Sequence, residues 1–564
     1  MTTKNKITLI STASIFALGL ISFSNLFKTV PETENKMILS QSLSNNKMEQ
    51  KEKLISINNE PIEILSLDAE KSKSPIVNKP PKNGRLSHYK KKTTISNVFN
   101  GLENIKDTKV PLDIDKVLKR KWDVDIGRLS YRSNFELISN YIYVGSNGSN
   151  FNDWHLWDEN SGVYKINSRN GEVAKRIAYE DFGDVDVNGI LYHNGQLFFG
   201  NDNDEFICVN QNGEIQWRIP ISGDVEHQPT LLEKTNGNLI AFATEVGEIR
   251  AVDVEKGNTV WKYYDPNFNG WKDGDNRFVF KLKTHFKSGS KFFEKPAVGD
   301  INGDGVVDML YAGSKIVAIN GNNGKVIWEI PYEISSIDGN KTMFLEKYKY
   351  NAIIVGKGKN LKILTYAKEI SSVSNKATND PSAEKKGKLL VINKRGKLIK
   401  EITLSENKNS GSNYLFENLK IGSEEAAFVS ENIIYIYDVK NDSLTKINGF
   451  NKQTKITYSW GDYFQYDLSG VVEVCPLVLN TSKGNCRLIK WEYGPQDPSV
   501  EEYSRGAIIK LWGVSRNSEF LTLRLGSSSE GPLLVKDVDK DGKKELLVEC
   551  GGKLICYDLS TLSF

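Results

Sequence analysis

"IRAVDVEKGNTVWKY" at 249–263 and "IVAINGNNGKVIWEI" at 316–330 are copies of one phrase: an apolar strand, an Asn or Asp, a short turn closed by Gly, then a second strand carrying Trp. Further copies read "VYKINSRNGEVAKRI" (163–177), "FICVNQNGEIQWRI" (206–219) and "LLVINKRGKLIKEI" (389–402). In each, the Asn or Asp side chain can accept from its own turn, and Gly171, Gly213, Gly257, Gly324 or Gly396 supplies the positive φ that a tight hairpin demands. Short β-branched and aromatic runs separated by Gly, Asn and Asp continue from Trp122 to the end, with no amphipathic helix of useful length. The chain beyond Trp122 is therefore predicted to be an all-β repeat architecture.

Four residues after the turn glycine stand Trp217, Trp261 and Trp328 in three copies, and Lys175 and Lys400 in the other two. A large ring at one fixed place in each sheet suits packing between neighbouring sheets. Cys208 and Cys556 occupy the place held by Ala251 and Ala318, so they read as small core residues.

The phrases "AVDVEKGNTVW" and "AINGNNGKVIW" resemble the tryptophan-docking repeat of the quinoprotein-like (PQQ-like) β-propellers, over nearly all of residues 117–564. That resemblance implies four-stranded blades arranged radially, strand A innermost and strand D outermost. In that frame about eight blades fall near 129–178, 184–221, 225–265, 292–333, 335–404, 412–450, 456–526 and 531–564, with seven as the alternative because the fifth and seventh diverge. The last blade has phrases for only three strands. "KRKWDVDIG" at 119–127 can supply its outer strand, with Trp122 in the role of Trp217, which leaves no open edge in the ring.

Two segments align with each other, "VGDINGDGVVDMLYAG" from Val298 and "VKDVDKDGKKELLVECGG" from Val535. Each places acidic or amide side chains at positions 1, 3, 5 and 9 of a loop with Gly at position 6: Asp300, Asn302, Asp304, Gly305 and Asp308, then Asp537, Asp539, Asp541, Gly542 and Glu545. Oxygen-only ligands on alternate residues of a tight loop suit Ca²⁺, and the carbonyls of Val306 and Lys543 at position 7 would complete the ring of oxygens. Position 12 is Tyr311 or Val548, which excludes an EF-hand; the pattern resembles instead the FG-GAP/VCBS repeat of integrin-like propellers, whose short loop joins strands A and B. A hydrated Asp-Gly turn without metal is the plain alternative, and Lys540, Lys543 and Lys544 favour it more in the second loop. The matching place in the third blade reads "LEKTNGN", so the expected calcium is a structural clamp rather than a catalytic ion.

Of 564 residues 39% are hydrophobic, and 74 Lys and Arg against 71 Asp and Glu leave a formal charge of only +3, which implies no nucleic-acid partner. Residues 1–30 contain the one membrane-suited stretch, "ITLISTASIFALGLISFSNLF" at 7–27, flanked by Lys4 and Lys6. It reads as an uncleaved anchor or a removed signal peptide, with the rest exported: membrane-tethered in the periplasm or at the cell surface, or else secreted. Residues 31–116 are rich in Lys, Asn, Ser and Glu and read as a disordered linker, basic by six charges over 28–120 (18 Lys and Arg, 12 Asp and Glu).

Five cysteines do not make a disulfide framework, although Cys475 and Cys486 flank the turn at 480–484 and would lie nearly opposite in a hairpin, as a disulfide or as free thiols. Insertions at 150–161, 368–387 and 495–505 would be B-to-C loops and 266–291 a D-to-A loop. In a propeller these share one face, opposite the A-to-B calcium loops, and elaboration of one face marks a binding surface for a protein or glycan. Asp273 and Asp275 lie in the last of those loops. The alternative from the same resemblance is a quinoprotein dehydrogenase using PQQ and Ca²⁺. Against it stand the absence of a Cys-Cys pair, of Gly-x-Ser-x-Gly and His-Glu-x-x-His motifs, and the scatter of His88, His155, His193, His227 and His285. The expectation is a monomeric, non-catalytic extracytoplasmic binding propeller with structural calcium and no PQQ.

Overall fold

Each recurrent phrase folds as its turn chemistry dictates. Asn167, Asn210, Asp253, Asn320 and Asn393 accept from backbone N–H groups of their own turns, two to five residues on. Gly171, Gly213, Gly257, Gly324 and Gly396 all carry φ between +72° and +77°. The computed structural model describes residues 112–562 except 149–159, 179–185, 236, 273–294, 346–351, 371–384, 406–418, 421–423, 431–432, 449–454, 458–462, 468–471, 496–505, 515–516 and 528. The proposed anchor at 7–27 and nearly all of the linker lie outside those residues. Among the described residues no helix is long and apolar enough to cross a membrane.

Eight sheets form the eight blades of a β-propeller. Blade 1 runs Phe135–Ile138, Tyr141–Asn147, Ser161–Asn167, Val173–Ile177, and blade 2 Ile190–His193, Gln196–Asn201, Glu205–Asn210, Ile215–Pro220. Blade 3 is Thr230–Leu232, Leu239–Ala243, Glu248–Asp253, Thr259–Tyr264, and blade 4 Ala297–Gly299, Asp308–Ala312, Ile316–Ile319, Val326–Ile330. Blade 6 is Leu419–Lys420, Glu425–Ser430, Ile433–Asp438, Ser443–Asn448.

Blades 5 and 7 diverge because each carries an added hairpin before its innermost strand. In blade 5, Glu333–Ser335 and Thr342–Leu345 precede Ile353–Val355, and the second of them pairs with the far end of Lys362–Ile370. In blade 7, Lys455–Thr457 and Tyr463–Asp467 precede Val472–Thr481 and reach the end of Gly484–Pro495 through Tyr466 opposite Pro495. Lys385–Asn393 and Leu398–Ser405 complete blade 5, and Gly506–Gly513 and Ser518–Arg524 complete blade 7.

Blade 8 contains Leu533–Lys536, Glu545–Cys550 and Lys553–Asp558, closed on the outside by Lys119–Asp125. Trp122 stands opposite Cys556, as Trp217 stands opposite Cys208, Trp261 opposite Ala251 and Trp328 opposite Ala318. The ring is thus joined by the register expected from the repeat. The described residues take in a few positions assigned to the linker before 117: Leu112–Asp113 lies parallel to Leu523–Arg524 of blade 7, and the short helix Ile114–Val117 buries Ile114 against blades 7 and 8.

The core lies between blades. Apolar clusters join blades 8 and 1, 1 and 2, 2 and 3, 3 and 4, 4 and 5, 5 and 6, and 7 and 8. Each tryptophan lies over the turn glycine of the next blade: a Cβ on Gly171, Gly257, Gly324 or Gly396 would fall 2.6–2.8 Å from the rings of Trp122, Trp217, Trp261 and Trp328. The indole N–H groups donate to Ser168, Val254, Gly321 and Lys394 carbonyls of those same turns at 2.9–3.1 Å. Lys175 and Lys400, which replace Trp, donate instead to the Asn212 carbonyl and the Asp442 carboxylate of the following blade.

The choice left open for Cys475 and Cys486 falls to free thiols. Cys486 faces Leu479, while Cys475 falls in an irregular stretch between Val474 and Val478; both are buried free thiols, as are Cys208, Cys550 and Cys556. The turn that pairs Thr481 with Gly484 already sets Cys486 opposite Leu479, four residues from Cys475 along the partner strand, so the hairpin register itself keeps the two thiols apart.

Candidate metal centre

Both acidic loops join strands A and B, as expected, in blades 4 and 8. Their backbones are knit alike. Asp300 accepts from Gly303 N–H at 2.7 Å and Gly305 N–H at 3.2 Å, and Asp537 from Asp541 and Gly542 N–H at 3.1 and 3.0 Å. Asn302 accepts from Asp304 N–H at 2.7 Å, and Asp539 from Asp541 N–H at 3.2 Å. At position 7, Val306 and Lys543 donate their N–H to Asp304 and Asp541 at 2.9 and 2.8 Å.

Position 9 is the anchor of each loop. Asp308, wholly buried, accepts from Ile301 and Asn302 N–H through Oδ2 at 2.8 and 3.0 Å and from Gly321 N–H through Oδ1 at 3.2 Å. It therefore ties the A-to-B loop to the C-to-D turn of the same blade. Glu545, also wholly buried, accepts from Val538 N–H at 2.9 Å. Burial raises the pKa of both carboxyls against the opposing pull of those N–H groups. Asp304 ends below its ordinary value: the upward push of burial is outweighed by Val306 N–H and the amides of Asn302 and Asn320.

The loops differ in charge. In the second, Asp537, Asp539 and Asp541 bring carboxylate oxygens within 4.8 Å of one another. Lys121 of the closure strand places its ammonium among them, 2.5 Å from Asp539 Oδ2, 3.1 Å from Glu545 Oε1 and 3.2 Å from Asp541 Oδ2. Those contacts outweigh burial and raise the Lys121 pKa. In the first loop Asn320 Nδ2 donates to Asp304 Oδ2 at 2.9 Å, and among the described residues no Lys or Arg pairs with Asp300, Asp304 or Asp308. Asn302, Asp300 and Asp304 leave a site of oxygen donors with net negative charge, which fits a hard cation. Lys121 and Asn320 were not singled out from sequence. The register that aligned Trp122 with Trp217 contained the signal for Lys121, the residue just before the ring.

The opposite face holds a second polar assembly, at the starts of the innermost strands. Gln228 Nε2, preceding the inner strand of blade 3, donates to Glu136 Oε1 on the inner strand of blade 1 at 2.8 Å, and Lys295, preceding that of blade 4, donates to Gln228 Oε1. Blades 1 and 3 are not neighbours, so this bond passes in front of blade 2, beside the axis. Arg132 and Asn188 converge on Glu226 at 3.0 and 2.8 Å, and Asn134 Oδ1 accepts from Ile190 N–H at 2.9 Å. Burial raises the Glu136 pKa against the opposing pull of Lys295 and Gln228. His227, wholly buried, is lowered by burial to about 4 and stands neutral with Nδ1 3.0 Å from the Gln228 carbonyl.

The insertions at 150–161, 266–291, 368–387 and 495–505 lie largely outside the described residues, with Asp273, Asp275, His155 and His285 among them. The strands that bracket them run B to C or D to A, on the face opposite the acidic loops. The added hairpins of blades 5 and 7 lie in D-to-A connections and so enlarge that face further. In each hairpin the two short strands pair with each other, and the second also pairs with the overhanging end of a distant strand, a signal no local period carries.

Residues 159–382 match the family model described as "Outer membrane protein assembly factor BamB", a PQQ-repeat model. Among solved structures, BamB from Moraxella catarrhalis aligns over 78% of this chain and 100% of its own at 11% identity with a TM-score of 0.43. Sqt1 of Saccharomyces cerevisiae aligns over 78% and 99% at 11% identity with a TM-score of 0.44. The quinohemoprotein alcohol dehydrogenase ADHIIG from Pseudomonas putida HK5 aligns over 81% and 79% at 11% identity with a TM-score of 0.41. No curated protein sequence matches. The repeat resemblance is borne out over the matched residues, and the protein is a β-propeller of eight blades.

Proposed function

We propose that this propeller is a non-catalytic scaffold of the cell envelope, outside the cytoplasm, that holds a protein or glycan partner on its D-to-A and B-to-C face. Calcium at 300–308 clamps the opposite face, and residues 7–27 tether the chain to the membrane. The observation that carries the reading is the match of residues 159–382 to a model described as an outer-membrane assembly factor. Two structural features support it. The added hairpins of blades 5 and 7 elaborate one face, where loops can vary without disturbing the ring. Near the axis on that face, Gln228 bonds both Glu136 and Lys295, linking three blades by polar contacts at the starts of their inner strands.

The test uses the full chain with a photoreactive residue at Ile337, 58% exposed in the blade 5 hairpin, or at Asn322, exposed on the opposite face. Exposure in intact envelopes should give a defined cross-linked component from position 337 and none from 322. Equal labelling from both faces, or none from 337, overturns the assigned face. Incubation with PQQ and Ca²⁺ should yield no dye-linked alcohol oxidation; turnover would replace the scaffold reading with the dehydrogenase one.

A further inference from the structure

In seven of the outer strands one residue falls out of register at the same place, immediately before the position that Trp holds in blades 2, 3, 4 and 8: Lys121, Ala174, Gln216, Val260, Ile327, Ile399 and Phe520. A bulge releases its residue from the pleat and re-aims the side chain. Of these seven only Lys121 is charged. Its ammonium reaches back across its blade to Asp539, Glu545 and Asp541, with the Lys121 side chain 17% exposed and that of Glu545 fully buried. Those are positions 3, 9 and 5 of the acidic loop, the oxygens a metal ion would use, and an ammonium has three N–H donors to match them. In blade 4 the corresponding residue is Ile327, which brings no charge to 300–308.

We propose that the Lys121 ammonium is the resident cation of the 537–545 loop, so that closure of the ring, rather than a divalent ion, completes that loop. Calcium is then taken up at 300–308 alone; this last clause rests on the calcium reading above. An ion bound among the same oxygens, at about 2.4 Å from each, would lie within roughly 5 Å of Lys121 Nζ, and repulsion between the two cations makes occupancy exclusive. The loop and the first strand therefore form one latch: a divalent ion enters only by displacing the side chain that fastens the start of the propeller to its last blade.

Calcium titration of the full chain by calorimetry, with melting in calcium or chelator, tests this. Wild type should bind one calcium, lost in Asp304→Ala, and Lys121→Met should gain one site that Asp539→Asn removes again. Two sites in wild type, or no gained site in a folded Lys121→Met protein, overturns the inference. If wild type binds none and Lys121→Met gains one, the reading of 300–308 fails while the latch stands. Should Lys121→Met not fold, Asp539→Asn alone decides. It should lower the melting temperature equally with and without calcium, and a loss confined to calcium overturns the inference.

Discussion

Gly324→Ala isolates the docking of one blade on the next. Gly324 carries φ +73°, and a Cβ there would lie 2.6 Å from Trp261 Cε3, 2.7 Å from Cδ2 and 3.0 Å from Cγ. Gly195 carries φ +83° with nothing within 4 Å of such a Cβ, so Gly195→Ala reports the backbone strain alone. That strain is ~1–2 kcal/mol, offset in part by ~0.4–1 kcal/mol from a less flexible unfolded chain. At Gly324 the indole must also withdraw by about 1 Å, which forfeits a quarter to a half of its dispersion contact on that side. It also breaks the Nε1 bond to Gly321 O at 3.1 Å. With the burial of a whole tryptophan near ~5 kcal/mol and a net hydrogen bond near ~1 kcal/mol, the excess over Gly195→Ala should be ~2–3 kcal/mol. Urea denaturation followed by far-UV circular dichroism supplies the comparison. Trp261→Ala removes the ring, and Gly324→Ala in that background should then cost no more than Gly195→Ala, a coupling of about 2 kcal/mol. Equal costs for Gly324→Ala in both backgrounds would refute ring docking as the source of inter-blade stability.

Chelation should lower the melting temperature of wild type, and Asp304→Ala should abolish most of that response; indifference of wild type to chelator defeats the calcium reading. Asp308→Ala should be destabilising by ~3 kcal/mol or more in calcium and chelator alike, since it strands the buried N–H of Ile301 and its partners; a cost seen only in calcium would make Asp308 a ligand and not an anchor. Glu549, 2% exposed, is raised by burial from 4.5 to about 7. The folded chain therefore holds a proton that the unfolded chain loses above 4.5, so stability falls as pH rises through that window, by ~3 kcal/mol once above 7. Glu549→Gln keeps an acceptor for Gly552 N–H and should stabilise more at pH 8 than at pH 5, and equal gains at both would reject it. His227 acts oppositely, losing stability as pH falls from 6.5 towards 4, so the two offset each other between about pH 4.5 and 6.5.

What the sequence disclosed and what it hid divide by the range of the interactions. The hairpins of blades 1 to 5 were legible because an Asn or Asp three or four residues before a Gly dictates its own turn, whatever surrounds it. Closure was legible because "KRKW" repeats the spacing that puts Trp217 on Gly257. Hidden were features that require two distant segments at once. The hairpins at 333–345 and 455–467 exist because the second strands of blades 5 and 7 overhang their inner partners, and Glu136 finds Gln228 only because blades converge on an axis. The acidic loops fall on this boundary. Their oxygen pattern is local and was read alike in both, yet the cation beside one of them comes from more than 400 residues away, delivered by a bulge that spacing alone cannot distinguish from Ile327. Similar loops in one ring thus need not share a ligand. On the latch proposed above, the outer strand of each blade decides which loop takes an ion, and in the last blade that strand is the one that closes the ring.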